Sequence, residues 1–99
     1  MARILICDDE PDIVAALRIY LEAEGYATVS ARNGQEALEM LRTQDVQLVL
    51  MDVMMPVMDG VTATAKLREQ YNLPVIFLTA KSEDTDKVLG LGIGADDYI

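Results

Sequence analysis

"LVLMDVMMPVMDG" (residues 48–60) runs from Leu48 to Met51 without a polar residue, meets Asp52, and passes into a loop holding Pro56 and Asp59-Gly60. An uninterrupted apolar run bounded by turn residues reads as a strand covered on both faces, as in a parallel sheet. "RILICDDEPD" (residues 3–12) has the same plan, with Ile4–Cys7 running into Asp8, Asp9 and Glu10. Val75–Leu78 is a third such run and leads to Thr79. A shorter, mixed segment around Thr28–Val29 fits an edge strand.

Amphipathic stretches separate these runs. Pro11 suits the first turn of a helix, and Ile13, Val14, Leu17, Tyr20 and Leu21 recur at helical spacing before Gly25. Asn33 and Glu36 stand as N-x-x-E, close to a capping box, ahead of Ala37, Leu38 and Leu41. Asp59-Gly60 opens a third helix expected to reach about Tyr71, where Pro74 forces the chain extended. Residues 82–86 can start a fourth, carrying Val88, Leu89 and Leu91. "DDYI" (residues 96–99) begins a fifth strand. Strands alternating with helices short enough for right-handed crossovers predict an α/β fold, a doubly wound parallel sheet with helices on both faces.

The 99 residues make one small domain, read as 1–99. With 52% hydrophobic residues the chain is not disordered. No apolar run approaches the ~20 residues that span a bilayer, and no signal-peptide pattern opens the chain, so a cytoplasmic protein without membrane contact is expected. A net charge of -9 disfavours direct nucleic-acid binding, which needs clustered cations, and favours cations or basic protein surfaces. Cys7 has no partner for a disulfide and reads as a buried small hydrophobe. Histidine is absent, which removes Ser-His and Cys-His nucleophiles and histidine metal sites.

Ligands of open parallel sheets lie beyond the carboxyl ends of the strands. Asp8 and Asp9 follow the first strand, Asp52 ends the third, and Thr79 ends the fourth. In the common order 2-1-3-4-5 those three strands are neighbours, and their ends would line one pocket. Three ionised carboxylates repel, and a divalent cation offsets the repulsion. Mg²⁺ suits such a site, because it takes one or two carboxylates, phosphate oxygens and water. One carboxylate could then attack a phosphoryl group while Thr79 hydrogen-bonds the product. Taken singly, each piece has a plainer reading: acids at a helix start, a turn aspartate, a threonine at a strand end. Their shared location is what favours a site.

The residues "ILICDDE" (4–10), "LVLMDVMMPVMDG" (48–60), "PVIFLTAK" (74–81) and "LGIGADDYI" (91–99) closely resemble the receiver domain of bacterial two-component response regulators, in order and over essentially the whole chain. The resemblance implies a flavodoxin-like sheet in the order 2-1-3-4-5. It implies Asp52 as phosphoacceptor from a histidine kinase, with Mg²⁺ held by Asp9 directly, by Asp8 as the neighbouring acid often acting through water, by Asp52, and by the backbone carbonyl of Met54. Thr79 matches the switch hydroxyl and Tyr98 the switch aromatic, while Pro56 and Asp59-Gly60 match the loop after the acceptor. Met54 and Lys81 occupy positions that tune the phosphoryl lifetime, and an apolar Met54 implies slow self-dephosphorylation.

The match also implies a lysine three positions after Tyr98, which falls past Ile99, together with the rest of the fifth strand and a last helix. The expected form is thus a domain truncated in the fifth strand and lacking the last helix. Two accounts fit: a fragment of a longer regulator, of the subgroup joined to a winged-helix DNA-binding domain, or a short form that completes its sheet by self-association or as a homodimer. The leading function is a phosphorylation-controlled switch rather than a turnover enzyme. The alternatives are a phosphatase working through an aspartyl phosphate, for which D-x-D spacing is wanted and D-D is found, and an acidic adapter that is never phosphorylated.

Overall fold

A computed structural model of the chain describes residues 2–78 and the backbone of 97–98. The described elements are β1 (Arg3–Cys7), α1 (Pro11–Ala23), β2 (Ala27–Ala31), α2 (Gly34–Thr43), β3 (Leu48–Asp52), α3 (Gly60–Arg68), β4 (Val75–Leu78) and β5 (Asp97–Tyr98). They form a parallel sheet in the order β2-β1-β3-β4-β5. Leu5 stands between Val29 and Val49, and Met51 between Cys7 and Phe77, so the apolar runs of β1, β3 and β4 lie side by side. The mixed strand, β2, takes the edge. The expected fourth helix, Thr79 and Lys81 lie outside the described residues.

Because side chains alternate along a strand, each apolar run feeds both faces of the sheet. Leu5, Cys7, Val49, Met51, Val75 and Phe77 point to one face, where Ala37 and Leu41 of α2 and Ala63 and Leu67 of α3 cover them. Ile4, Ile6 and Leu50 point to the other and meet Val14, Leu17 and Leu21 of α1. Fully burying a side chain of this size contributes roughly 1.5–3 kcal/mol, so the first and larger face dominates stability.

Three local readings need correction. Tyr20 does not join the packed stripe of α1; it is 65% exposed, and Ile13 is also exposed. At 100° per residue both fall on one flank, Ile13 roughly 70° and Tyr20 roughly 90° from the centre of the Val14–Leu17–Leu21 line. Regular helix in α3 ends at Arg68, short of Tyr71. The chain then tightens, with the Gln70 and Tyr71 amides both donating to the Leu67 carbonyl and the Arg68 guanidinium donating to the Leu73 carbonyl. The capping box of α2 is offset by one residue. Asn33 accepts from the Glu36 amide at 2.9 Å, but the Glu36 carboxylate accepts from the Arg32 amide at 3.0 Å rather than from Asn33. That contact and the Arg32 guanidinium hold the Glu36 carboxyl below its usual range.

Candidate functional site

The carboxyl ends of β1 and β3 are adjacent, since Cys7 pairs with Met51. Asp8, Asp9 and Asp52 therefore emerge together, and one carboxylate oxygen from each lies within 4.8 Å of the others. Their environments differ. Asp8 is buried, 3% exposed, and its Oδ1 accepts the Glu10 amide at 2.9 Å. Asp9 is exposed and Asp52 half-buried. Burial first, then the charge of Asp8, pushes the Asp52 carboxyl up to about 6. Burial likewise raises the Asp8 carboxyl, against the Glu10 amide that favours its charged form. A cluster that resists full ionisation is one that a cation would stabilise. The oxygen-only donor set fits a hard ion such as Mg²⁺.

Cys7 lies beneath this cluster. Its thiol is 3.3 Å from the Asn33 carbonyl and 3.4 Å from the Met55 sulfur. Burial, followed by the charges of Asp52 and Asp8, pushes the thiol up to about 12. It is a neutral packing group at physiological pH, as the sequence suggested.

Beyond Asp52 the loop of residues 53–59 is held by its own backbone. The Met54 amide donates to Asp52 Oδ1 at 3.4 Å, and the Gly60 amide to the Val53 carbonyl at 3.0 Å. Gly60 is required by close approach, because a Cβ there would collide with the Asp52 backbone carbonyl. Asp59 caps α3 by accepting the Thr62 amide at 2.7 Å. Met55 and Met58 pack into the core, whereas the Met54 side chain is 78% exposed.

Sequence reasoning missed Val57. It has φ 67°, a left-handed conformation that a β-branched residue seldom adopts. The Met58 amide donates to the Pro56 carbonyl at 2.6 Å, closing a three-residue turn around it. Such turns are rare and strained, with a cost of order 1–3 kcal/mol. The Val57 side chain is 84% exposed, so its own packing does not offset that cost.

Of the residues singled out from the sequence, Asp8, Asp9, Asp52 and Met54 come together at one end of the sheet. Thr79 lies outside the described residues. Tyr98 contributes backbone to β5, paired with Phe77, and its side chain lies outside the description.

Residues 4–99 match the family described as the response regulator receiver domain. Response regulator GtcR of Aneurinibacillus migulanus is 48% identical over 97% of this chain and 40% of its own length. The alkaline phosphatase synthesis transcriptional regulatory protein PhoP of Bacillus subtilis is 46% identical over 98% of this chain and 41% of its own. The chain thus spans about two fifths of the curated relatives it matches. Among solved structures, the response regulator TrrA of Thermotoga maritima in complex with Mg²⁺ and BeF superposes with a TM-score of 0.89 at 36% identity, covering 100% of this chain and 85% of that one.

Proposed function

We propose, for a chain that belongs to the response regulator receiver domain family, that its signal is an acyl phosphate on Asp52. Receivers are phosphoacceptor switches that take their phosphoryl group from histidine kinases and bind Mg²⁺ at an acidic pocket. The observation that supports the assignment here is the meeting of Asp8, Asp9 and Asp52 at the ends of β1 and β3.

In this reading an Asp52 carboxylate oxygen attacks the phosphorus of a phosphohistidine, the N–P bond breaks, and the phosphoryl group is left on the carboxylate. Asp52 is proposed as the acceptor rather than Asp8, because Asp8 is buried and Asp52 only half-buried. Exposed Asp9 and half-buried Asp52 would hold Mg²⁺ directly, Asp8 through water, and the Met54 carbonyl would complete the protein's share. Bound Mg²⁺ would neutralise charge on the transferring oxygens. Thr79 and Tyr98 are the proposed switch pair, and a histidine kinase the proposed donor. The relatives are named as regulators, PhoP as a regulator of transcription, so gene regulation through a further DNA-binding segment is the proposed output. An apolar, exposed Met54 is poorly suited to orient an attacking water, which supports slow self-dephosphorylation.

The test is incubation with a small acyl phosphate and Mg²⁺, followed by intact mass. One phosphoryl group should be added to the parent and none to Asp52→Asn. Incorporation that survives in Asp52→Asn, or none in the parent, refutes the assignment. An aspartyl phosphate lost within seconds refutes the slow hydrolysis.

A further inference from the structure

Gly34 is the first residue of α2, far from Asp52 in sequence, yet its amide donates to the Met58 carbonyl at 3.0 Å. A Cβ on Gly34 would lie 2.8 Å from that carbonyl oxygen, 2.8 Å from Ala63 Cβ and 2.9 Å from Met58 Cγ. The first two of these are rigid and cannot swing away. Backbone conformation does not call for glycine here, since only Val57 and Gly25 among the described residues have positive φ. Helix propensity disfavours it as well. Clearance toward the loop is the reason that is left.

We propose that Gly34 is a positioning residue for the metal-side loop. Its missing side chain lets the start of α2 seize the Met58 carbonyl and hold residues 53–59 in the strained turn at Val57. The clamp acts from one end of the loop, where Met58 is fixed against α2 and Ala63 of α3. The Gly60 amide fixes the other end at Val53, beside Asp52 and Met54. Between these anchors lies Val57, whose conformation would relax if either let go. The inference rests on the reading that Asp52 and the Met54 carbonyl serve a bound Mg²⁺. It adds that the loop is preset for the ion by a residue that never touches it.

The test is Mg²⁺ titration calorimetry on the parent chain and on Gly34→Ala, with urea unfolding in chelator alongside. Gly34→Ala should bind Mg²⁺ about tenfold more weakly, as loss of an outer support typically does. Affinity within about twofold of the parent, whatever the change in urea midpoint, means that Gly34 only supports packing and overturns the proposal. Val57→Gly keeps the clamp and removes the strain, so it should raise the urea midpoint; a lower midpoint overturns the proposal, and this variant decides the matter if Gly34→Ala does not fold. Placed in the Gly34→Ala background, Val57→Gly should return part of the lost affinity, and strictly additive effects count against the coupling. A parent chain that binds no Mg²⁺ overturns the metal reading and the clamp together, whereas binding unchanged in Gly34→Ala overturns the clamp alone.

Discussion

Two loops build the site, and they do so by different means. The β1–α1 loop is short and places its chemistry in side chains: Asp8, Asp9 and Glu10 follow β1 directly, and α1 begins at Pro11 without a side-chain cap. The β3–α3 loop is longer and works through its backbone, pinned by the Gly34, Met58 and Gly60 amides, with Val57 held at positive φ. The first loop brings charge to the site. The second brings shape, and it stores strain in doing so. Substitutions in the first should therefore change electrostatics, and substitutions in the second should change geometry.

The largest effect expected is chemical. Asp52→Asn should abolish phosphate incorporation, a fall beyond about 100-fold, because the amide is no nucleophile. The same change should raise stability in chelator at neutral pH, because it relieves the repulsion with Asp8 and Asp9. Loss of incorporation together with lower stability would show that Asp52 supports the fold instead.

Next comes Gly60→Ala, the sharpest probe of the second loop. The new Cβ meets the Asp52 carbonyl, part of a strand fixed on both sides, so α3 must shift. A loss of about 3 kcal/mol is expected from urea unfolding. A loss below about 0.5 kcal/mol, the level of an ordinary surface change, would mean that the loop adapts freely and that the contrast between the two loops is wrong.

Legibility divides along the same line. Uninterrupted apolar runs located β1, β3 and β4, and the carboxyl-end rule put Asp8, Asp9 and Asp52 at the same end of the sheet, because both depend on neighbours in sequence and on strand geometry. The sheet order came from family resemblance, since periodicity says which segments are strands and not which ones pair. Tyr20 was misplaced because spacing gives an angle on a helix, while burial depends on what covers that angle. Gly34 and Val57 were invisible. Nothing local asks for glycine at the start of α2, and a valine after Pro56 carries no sign of positive φ. Both features arise only when Met58 meets α2, a contact between segments far apart in the chain.

The electrostatic half of the comparison has its own pH signature. Asp52 in the folded chain titrates near 6, above its ordinary value of 3.8. Between those values the folded state holds a proton that the unfolded state has released, so stability falls as pH rises through that window. The full effect is present below the lower value and lost above the upper one. Because Asp52 is partly exposed, solvent screening reduces the contribution to about 1–2 kcal/mol. Unfolding in chelator at pH 4 to 7 should show the decline relative to Asp52→Asn, which cancels the other carboxyls. Saturating Mg²⁺ should flatten it. A difference between parent and variant that does not change with pH would remove the charge strain assigned to the first loop.

The smallest effect compares the two helix starts. Asp59 accepts the Thr62 amide at 2.7 Å, whereas Glu10 caps α1 with no side-chain bond. Asp59→Ala should cost about 1 kcal/mol, the usual worth of a lost cap, and Glu10→Ala should cost almost nothing. At the start of α1 it is the Asp8 carboxylate that accepts the Glu10 amide, so the task of the missing cap falls to a site residue. Asp8→Ala should then lose helix support and gain relief from repulsion at once, leaving net stability in chelator within about 1 kcal/mol of the parent. Raising the salt concentration separates the two terms, because screening weakens the repulsion that the parent suffers more than it weakens a short hydrogen bond. The parent should therefore gain more from salt than Asp8→Ala does. An equal response would mean that Asp8 acts as a cap alone, and that the charge at this end of the sheet is carried by Asp9 and Asp52.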